Sequence, residues 1–166
     1  MTSDSAIVAG GCFWGVEDLL RKVNGITDTE VGYTGGTLDH PTYEKVKTGT
    51  TGHAEAIDIS FDPKIISYEK VLELFFQLHD PTTRNRQGGD IGTQYRSAIF
   101  PRDADQQAIA ERVIAKENAS GRWPKPLATT IEEFKIFYSA ESYHQDYLLK
   151  NPGGYTCHFW RGPTPT

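Results

Sequence analysis

The element order legible in the sequence, βαββαβ followed by a further αβα, predicts an α+β fold: a two-layer sandwich with a mixed, ferredoxin-like βαββαβ core sheet, helices on one face, and a long coil-rich C-terminal tail. Three observations carry this expectation. Short β-branched or alternating apolar runs recur between longer stretches of helical spacing, hairpin-like links mix with helical crossovers, and no internal repeat or low-complexity stretch intervenes. At 166 residues the chain has the usual size of one domain and can bury a core without disulfide staples, so 1–166 reads as a single domain.

Each element has a local reason. Ala6-Ile7-Val8-Ala9 is a short buried strand; Gly10 and Gly11 end it, and Val16 to Lys22 has helical spacing, which puts Cys12 in the first helical turn. Gly25 closes a turn before Ile26 to Thr34, an alternating strand rich in Thr and Val that ends at Gly35-Gly36. Thr37 to Gly52 has little period and reads as a long functional loop. His53 to Asp62 alternates until Pro63 stops it, a strand with one buried face. Ser67 caps an amphipathic helix from Tyr68 to His79, with Val71, Leu72, Phe75, Phe76 and Leu78 inward. Thr82 to Gly92 is a second loop, dense in Arg, Gln, Gly and Asp, followed by a strand from Gln94 to Phe100. Asp103 caps a helix that runs towards Gly121. A strand from Thr130 to Tyr138 and a helix from Ser142 to Lys150 complete the order, and the tail from Asn151-Pro152-Gly153-Gly154 is built to bend and to move.

Net charge is −5 with both signs scattered, and no block of Lys or Arg is long enough to hold a phosphate backbone. Nucleic acid and membrane surfaces are therefore not expected partners. Met1 to Ser5 has no positive region, and the apolar run behind it is too short for a signal or a membrane span. Two cysteines make no disulfide scaffold, and with the absent signal they point to a reducing, cytoplasmic setting.

The stretch Gly10-Gly11-Cys12-Phe13-Trp14-Gly15 carries the chemistry. Unpaired N–H groups and the positive end of the helix dipole favour an anion at Cys12, so its thiol is expected to ionise more easily than a free one and to act as a nucleophile. A lone buried cysteine is more often a small apolar residue. The strand–Gly-Gly–helix setting, two adjacent aromatics and a second cysteine, Cys157, favour the nucleophile. Tyr43 from the first loop, Asp90 and Tyr95 from the second, and Glu55 on the strand between them can converge on Cys12. An inward-facing Glu is costly unless paired or protonated, and an apolar pocket raises its pKa until it can donate a proton. Equally, Glu55 could face solvent, because Ala54 and Ala56 are too small to show which face is buried.

His53-Ala54-Glu55 matches the first half of a zinc deaminase signature, but the second half needs a Cys pair two residues apart, so no zinc site is expected. A Cys–His hydrolase stays open, with His53, His79, His144 or His158 as the base. Phe13 and Trp14 are on general grounds core residues, and only their place beside Cys12 makes them a pocket wall.

Together these residues resemble the methionine sulfoxide reductases of type A. Gly11-Cys12-Phe13-Trp14-Gly15 is similar to that family's nucleophile motif and Gly52-His53-Ala54-Glu55-Ala56 to the segment with its catalytic acid. Gln87 to Ser97, Tyr143-His144-Gln145-Asp146-Tyr147 and Asn151-Pro152-Gly153-Gly154-Tyr155 extend the resemblance over nearly the whole chain, in order. The resemblance implies a monomer, without metal or cofactor, that reduces the S-epimer of methionine sulfoxide, free or in proteins, and is restored by thioredoxin. Cys12 would be the nucleophile, Glu55 the acid, Phe13 and Trp14 the wall for the substrate methyl, and Tyr43, Asp90 and Tyr95 the polar partners of the sulfoxide oxygen and Glu55. Attack would leave Cys12 as a sulfenic acid that condenses with Cys157. Two departures from the family stand out. Thr156 separates the Gly-Tyr pair from Cys157, and no further tail cysteine follows, so Cys157 is the sole candidate resolver.

Overall fold

The computed structural model describes residues 4–165, and the reading of Met1 to Ser3 as free of a leader lies outside the described residues. In chain order it holds β1 (Asp4–Gly10), α1 (Phe13–Leu20), β2 (Ile26–Thr34), α2 (Tyr43–Val46), β3 (Ala54–Phe61), α3 (Tyr68–Leu78) and the small strands β4 (Arg86–Gln87) and β5 (Asp90–Ile91). Then come β6 (Ser97–Ile99), α4 (Ala104–Ala119), β7 (Thr130–Ile131), β8 (Tyr138–Ser139) and α5 (Tyr147–Lys150).

β1 lies inside the sheet because Ala6, Ile7, Val8 and Ala9 are all apolar and all fully buried. β3 pairs antiparallel on one side, with Val8 opposite Ile57, and β6 antiparallel on the other. β2 flanks β3, placing Tyr33 opposite Glu55, and the whole order is β7-β6-β1-β3-β2-β8. Among the described residues only β7 runs parallel to its neighbour, which makes the sheet mixed.

The two faces differ. Ala6, Val8, Val31, Ile57 and Ile59 point to a core shared with Val16 and Leu20 of α1, Leu72, Phe75 and Phe76 of α3, and Val113 of α4. Each of the Val, Leu, Ile and Phe side chains contributes about 1.5–3 kcal/mol by leaving water. The opposite face carries Ile7, Ala9, Ala54, Ala56 and Ala98, and Phe134 and Phe137 from the coil before β8 pack on it. Odd positions of β3 thus face helices and even positions face a thinner cover. Ser67 caps α3 by accepting from Lys70 N–H, and Asp103 caps α4 by accepting from Gln106 N–H.

The structure corrects several local expectations. α1 starts at Phe13, so Cys12 is its N-cap residue and not part of the first turn. The first loop contains one helical turn, α2, capped by Thr42, and the second contains the β4–β5 hairpin. The strand expected from Gln94 is only Ser97–Ile99, because Thr93–Tyr95 winds into a 3₁₀ turn. The strand expected over Thr130 to Tyr138 breaks in two: its ends pair at opposite edges of the sheet while the middle crosses the alanine face to cover it. The helix expected over Ser142 to Lys150 splits into a 3₁₀ turn and α5, because Asp146 adopts φ 53° to give its N–H to Glu17 Oε1 at 2.8 Å. Beyond Asn151 the described chain has neither helix nor strand, and no described helix is long and apolar enough to cross a membrane.

Candidate active site

The turn from β1 to α1 is made at Gly11, whose φ of +95° suits a residue without Cβ, and Gln87 fills the space where that Cβ would go. This presents Cys12 at the start of α1, 7% exposed, with the Trp14 N–H on its sulfur. The Trp14 N–H favours the thiolate, but burial outweighs it, and Glu55 adds to burial where it is ionised, so the thiol is pushed up and not down. The expectation of a readily ionised Cys12 therefore fails in the ligand-free chain. A helix end alone favours the thiolate, and desolvation opposes it.

Glu55 is on an odd position of β3, so it faces the helices with Ile57 and Ile59 and is 1% exposed. It does not face solvent. The Phe13 N–H donates to its Oε1 at 3.2 Å, tying the first residue of α1 to β3. Burial pushes the carboxyl up to about 8, with the N–H opposing and the charge of Asp90 adding, so at neutral pH Glu55 carries its proton.

An aromatic cup adjoins this pair. Trp14 stacks on Tyr147 with ring centroids 3.8 Å apart, and its Nε1–H donates to His144 Nδ1 at 2.9 Å. His144 in turn lies 4.4 Å from the Tyr43 ring and 5.3 Å from Phe13. Phe13 itself is fully buried, 5.8 Å from Tyr33. Tyr43 opens α2, and burial and then Glu55 push its phenol up to about 12. Tyr95 closes the 3₁₀ turn and is pushed up by burial and then by Glu55. Asp90, at the β4–β5 hairpin, is raised by burial while the Tyr155 hydroxyl, donating to its Oδ2 at 3.1 Å, opposes the rise. Cys157, partly buried, lies against Gly88 of the same hairpin. The structure thus gathers Cys12, Phe13, Trp14, Tyr43, Glu55, Asp90, Tyr95 and Cys157 into one place. A thiol and several proton donors adjoin a group of aromatic side chains, an arrangement suited to a neutral, polarised S=O group.

The four histidines considered as bases are engaged elsewhere. His53 bonds Gly36 N–H and the Leu38 carbonyl, His79 bonds the Phe75 carbonyl and Ser97 Oγ, His144 takes Trp14, and His158 bonds the Gly10 carbonyl. Among the described residues no histidine hydrogen-bonds Cys12, which leaves a hydrolase built on Cys12 without its base.

The family model described as peptide methionine sulfoxide reductase matches residues 4–164. The chain belongs to the peptide methionine sulfoxide reductase family. It is 55% identical over 156 residues to peptide methionine sulfoxide reductase MsrA of Nocardia farcinica, covering 94% of this chain and 89% of that one. Among solved structures it is similar to Mxr1 of Saccharomyces cerevisiae in its reduced form, with a TM-score of 0.88, 43% identity, and 96% and 93% of the two chains covered. It is also similar to Mxr1 in complex with Trx2, with a TM-score of 0.62, 29% identity, and 96% and 91% covered. Against this reductase background, three side chains at the site belong to the segments that carry the resemblance but have no role assigned from sequence: Tyr147 behind Trp14, Tyr155 on Asp90, and Gln87 against Gly11. Sequence reasoning treats His144 and His158 only as bases. The spacing of His144 and Tyr147, three apart, is the one signal that marks a shared helical face, and the break at Asp146 shows that even this was not helix.

Proposed function

We propose that the chain reduces the S-epimer of methionine sulfoxide, free and in proteins, through a Cys12 sulfenic acid and a Cys12–Cys157 disulfide recycled by thioredoxin. The observation that carries this reading is the pairing of a buried Cys12 with a protonated Glu55 through the Phe13 N–H. A sulfoxide sulfur resists attack until its oxygen is protonated or strongly hydrogen-bonded. Glu55, with Tyr43 and Tyr95, supplies donors to the oxygen, Phe13 and Trp14 hold the methyl, and Asp90 sustains the proton on Glu55 through its charge. Sulfur of Cys12 attacks, the S–O bond of the substrate breaks, and the oxygen ends on Cys12: sulfoxide and thiol become thioether and sulfenic acid, so atoms and electrons balance. Condensation with the Cys157 thiol releases water and leaves the disulfide.

The S-epimer follows the resemblance to type A, and thioredoxin as reductant is supported by the similarity to Mxr1 in complex with Trx2. The same reading takes 1–166 as one catalytic domain with its resolver in the tail 151–166, acting as a cytoplasmic monomer. The order β6-β1-β3-β2, antiparallel throughout, with α1 and α3 as the crossovers, supports a ferredoxin-like core. Intact mass decides the function: reduced chain mixed with methionine sulfoxide should lose two hydrogens while one equivalent of methionine appears. No mass change and no methionine would reject it.

A further inference from the structure

The tail that carries Cys157 seats a buried imidazole, His158, on the nucleophile turn. His158 is 6% exposed although its neighbours Thr156 and Phe159 are exposed, and its Nε2 lies 2.7 Å from the carbonyl oxygen of Gly10, two residues before Cys12. A carbonyl can only accept, so Nε2 carries the hydrogen and Nδ1 is bare. Nδ1 lies 3.9 Å from Cys157 Sγ and can receive its S–H. The His158 N–H donates to Thr156 Oγ1 at 3.1 Å, so Thr156, the residue that separates Tyr155 from Cys157, closes the short turn that seats the imidazole.

The seat is cut to this tail. A Cβ at Gly15 would overlap His158 Nδ1 and Thr156 Oγ1, and one at Gly11 would come within 3.3 Å of His158 Nε2. Gly15 lies in the first turns of α1, where alanine would favour the helix by about 1 kcal/mol over glycine. Glycine there makes room for the tail. With Thr156 and His158 both against α1, Cys157 is fixed between them, facing Gly88 on the hairpin that also covers Gly11.

We propose that His158 is a positioning residue for the resolving step: seated on Gly10 and Gly15, it holds Cys157 beside Cys12 so that the sulfenic acid meets a docked thiol. This rests on the reading of Cys157 as the resolver. In the step itself the Cys12 S–O bond breaks, the S–S bond forms, and the Cys157 proton leaves with the hydroxyl as water; the oxidising equivalent is the oxygen already taken from the sulfoxide. A thiol on a free tail acts at the effective concentration its linker sets, and a docked thiol exceeds it.

The test follows one turnover of reduced, full-length chain with methionine sulfoxide and no thioredoxin, sampling methionine, dimedone-trapped sulfenic acid and disulfide in time. His158→Ala should give the wild-type burst of methionine, accumulate sulfenic acid, and form the disulfide about tenfold or more slowly. His158→Gln, which keeps a donor for the Gly10 carbonyl, should recover part of the rate. Gly15→Ala, which expels the same side chain from the other side, should retard its disulfide relative to its own burst. Disulfide formation at the wild-type rate in both His158→Ala and Gly15→Ala overturns the proposal and leaves Cys157 as resolver. Loss of the methionine burst in step with the disulfide in both variants also overturns it, since the site as a whole would then have failed. A wild-type chain that yields methionine but no intramolecular disulfide overturns the resolver reading, and the role of His158 with it.

Discussion

The Phe13 N–H and Glu55 Oε1, 3.2 Å apart, join the helix that presents Cys12 to the strand that presents the acid. This hydrogen bond adds to the β1–β3 pairing in coupling two groups 43 positions apart in the chain. It also spends one of the free N–H groups of α1 on a carboxyl that burial keeps protonated.

Cys12→Ser should keep the fold and lose reduction altogether. Serine fits the N-cap position at least as well as cysteine, while its hydroxyl is far too weak a nucleophile. The measurement is methionine released per chain in a single turnover, with circular dichroism as the control; turnover near the wild-type rate would falsify the assignment of Cys12.

For Glu55→Gln the first turnover should slow by roughly 10²–10⁴-fold without stopping, since the amide still donates a hydrogen bond but has no proton to transfer. A wild-type rate in the variant would leave the carboxyl a structural group only.

Protonation states should be visible directly. In ligand-free chain the infrared band of a protonated carboxyl, identified by its absence from Glu55→Gln, should be present at neutral pH and titrate away as pH rises through about 8. The folded value lies above the unfolded one, so stability that is full below the ordinary carboxyl range is lost as pH rises to about 8, and Glu55→Gln should not show this loss. Alkylation of Cys12 without substrate should accelerate only in the alkaline range, because burial and then Glu55 hold its thiol protonated. Fast alkylation at pH 6 would contradict the burial argument.

Cys157→Ser should still release about one equivalent of methionine in the first turnover, then stop or crawl with thioredoxin, since no protein disulfide forms for it to attack. Dithiothreitol should partly restore turnover by reducing the sulfenic acid itself. Undiminished thioredoxin-driven turnover would make Cys157 a bystander.

Glu17→Ala tests the support behind the cup. Glu17 is fully buried and accepts from Thr29 Oγ1 and Asp146 N–H, both at 2.8 Å. Removing it leaves those donors unpaired at a cost of about 1–3 kcal/mol and frees the segment that carries His144 and Tyr147 behind Trp14. A lowered Tm together with a raised KM is expected; an unchanged KM would uncouple that segment from the substrate wall.

What the sequence determined by itself is whatever short-range pattern can express. The apolar run 6–9, the alternation before Pro63, the caps Ser67 and Asp103, and the helical stripe of α3 all appear where their residues require them. So do the candidate chemical groups, because thiol, carboxyl and phenol are legible as letters. Tertiary structure alone decided which way they point and which proton they hold. Ala54 and Ala56 could not show the buried face of β3; the helices packed over Ile57 and Ile59 did, and Glu55 went with them. The helix end promised a thiolate at Cys12, and the burial supplied by distant segments reversed it. The run 130–138 has strand composition throughout, yet the bare alanine face needed a cover and took its middle. Nothing in Asn151 to His158 shows where the tail rests, because its seat is a gap left by Gly15, more than 140 positions away on α1. Desolvation and fit depend on which segments meet, and that is settled only when the chain has closed on itself.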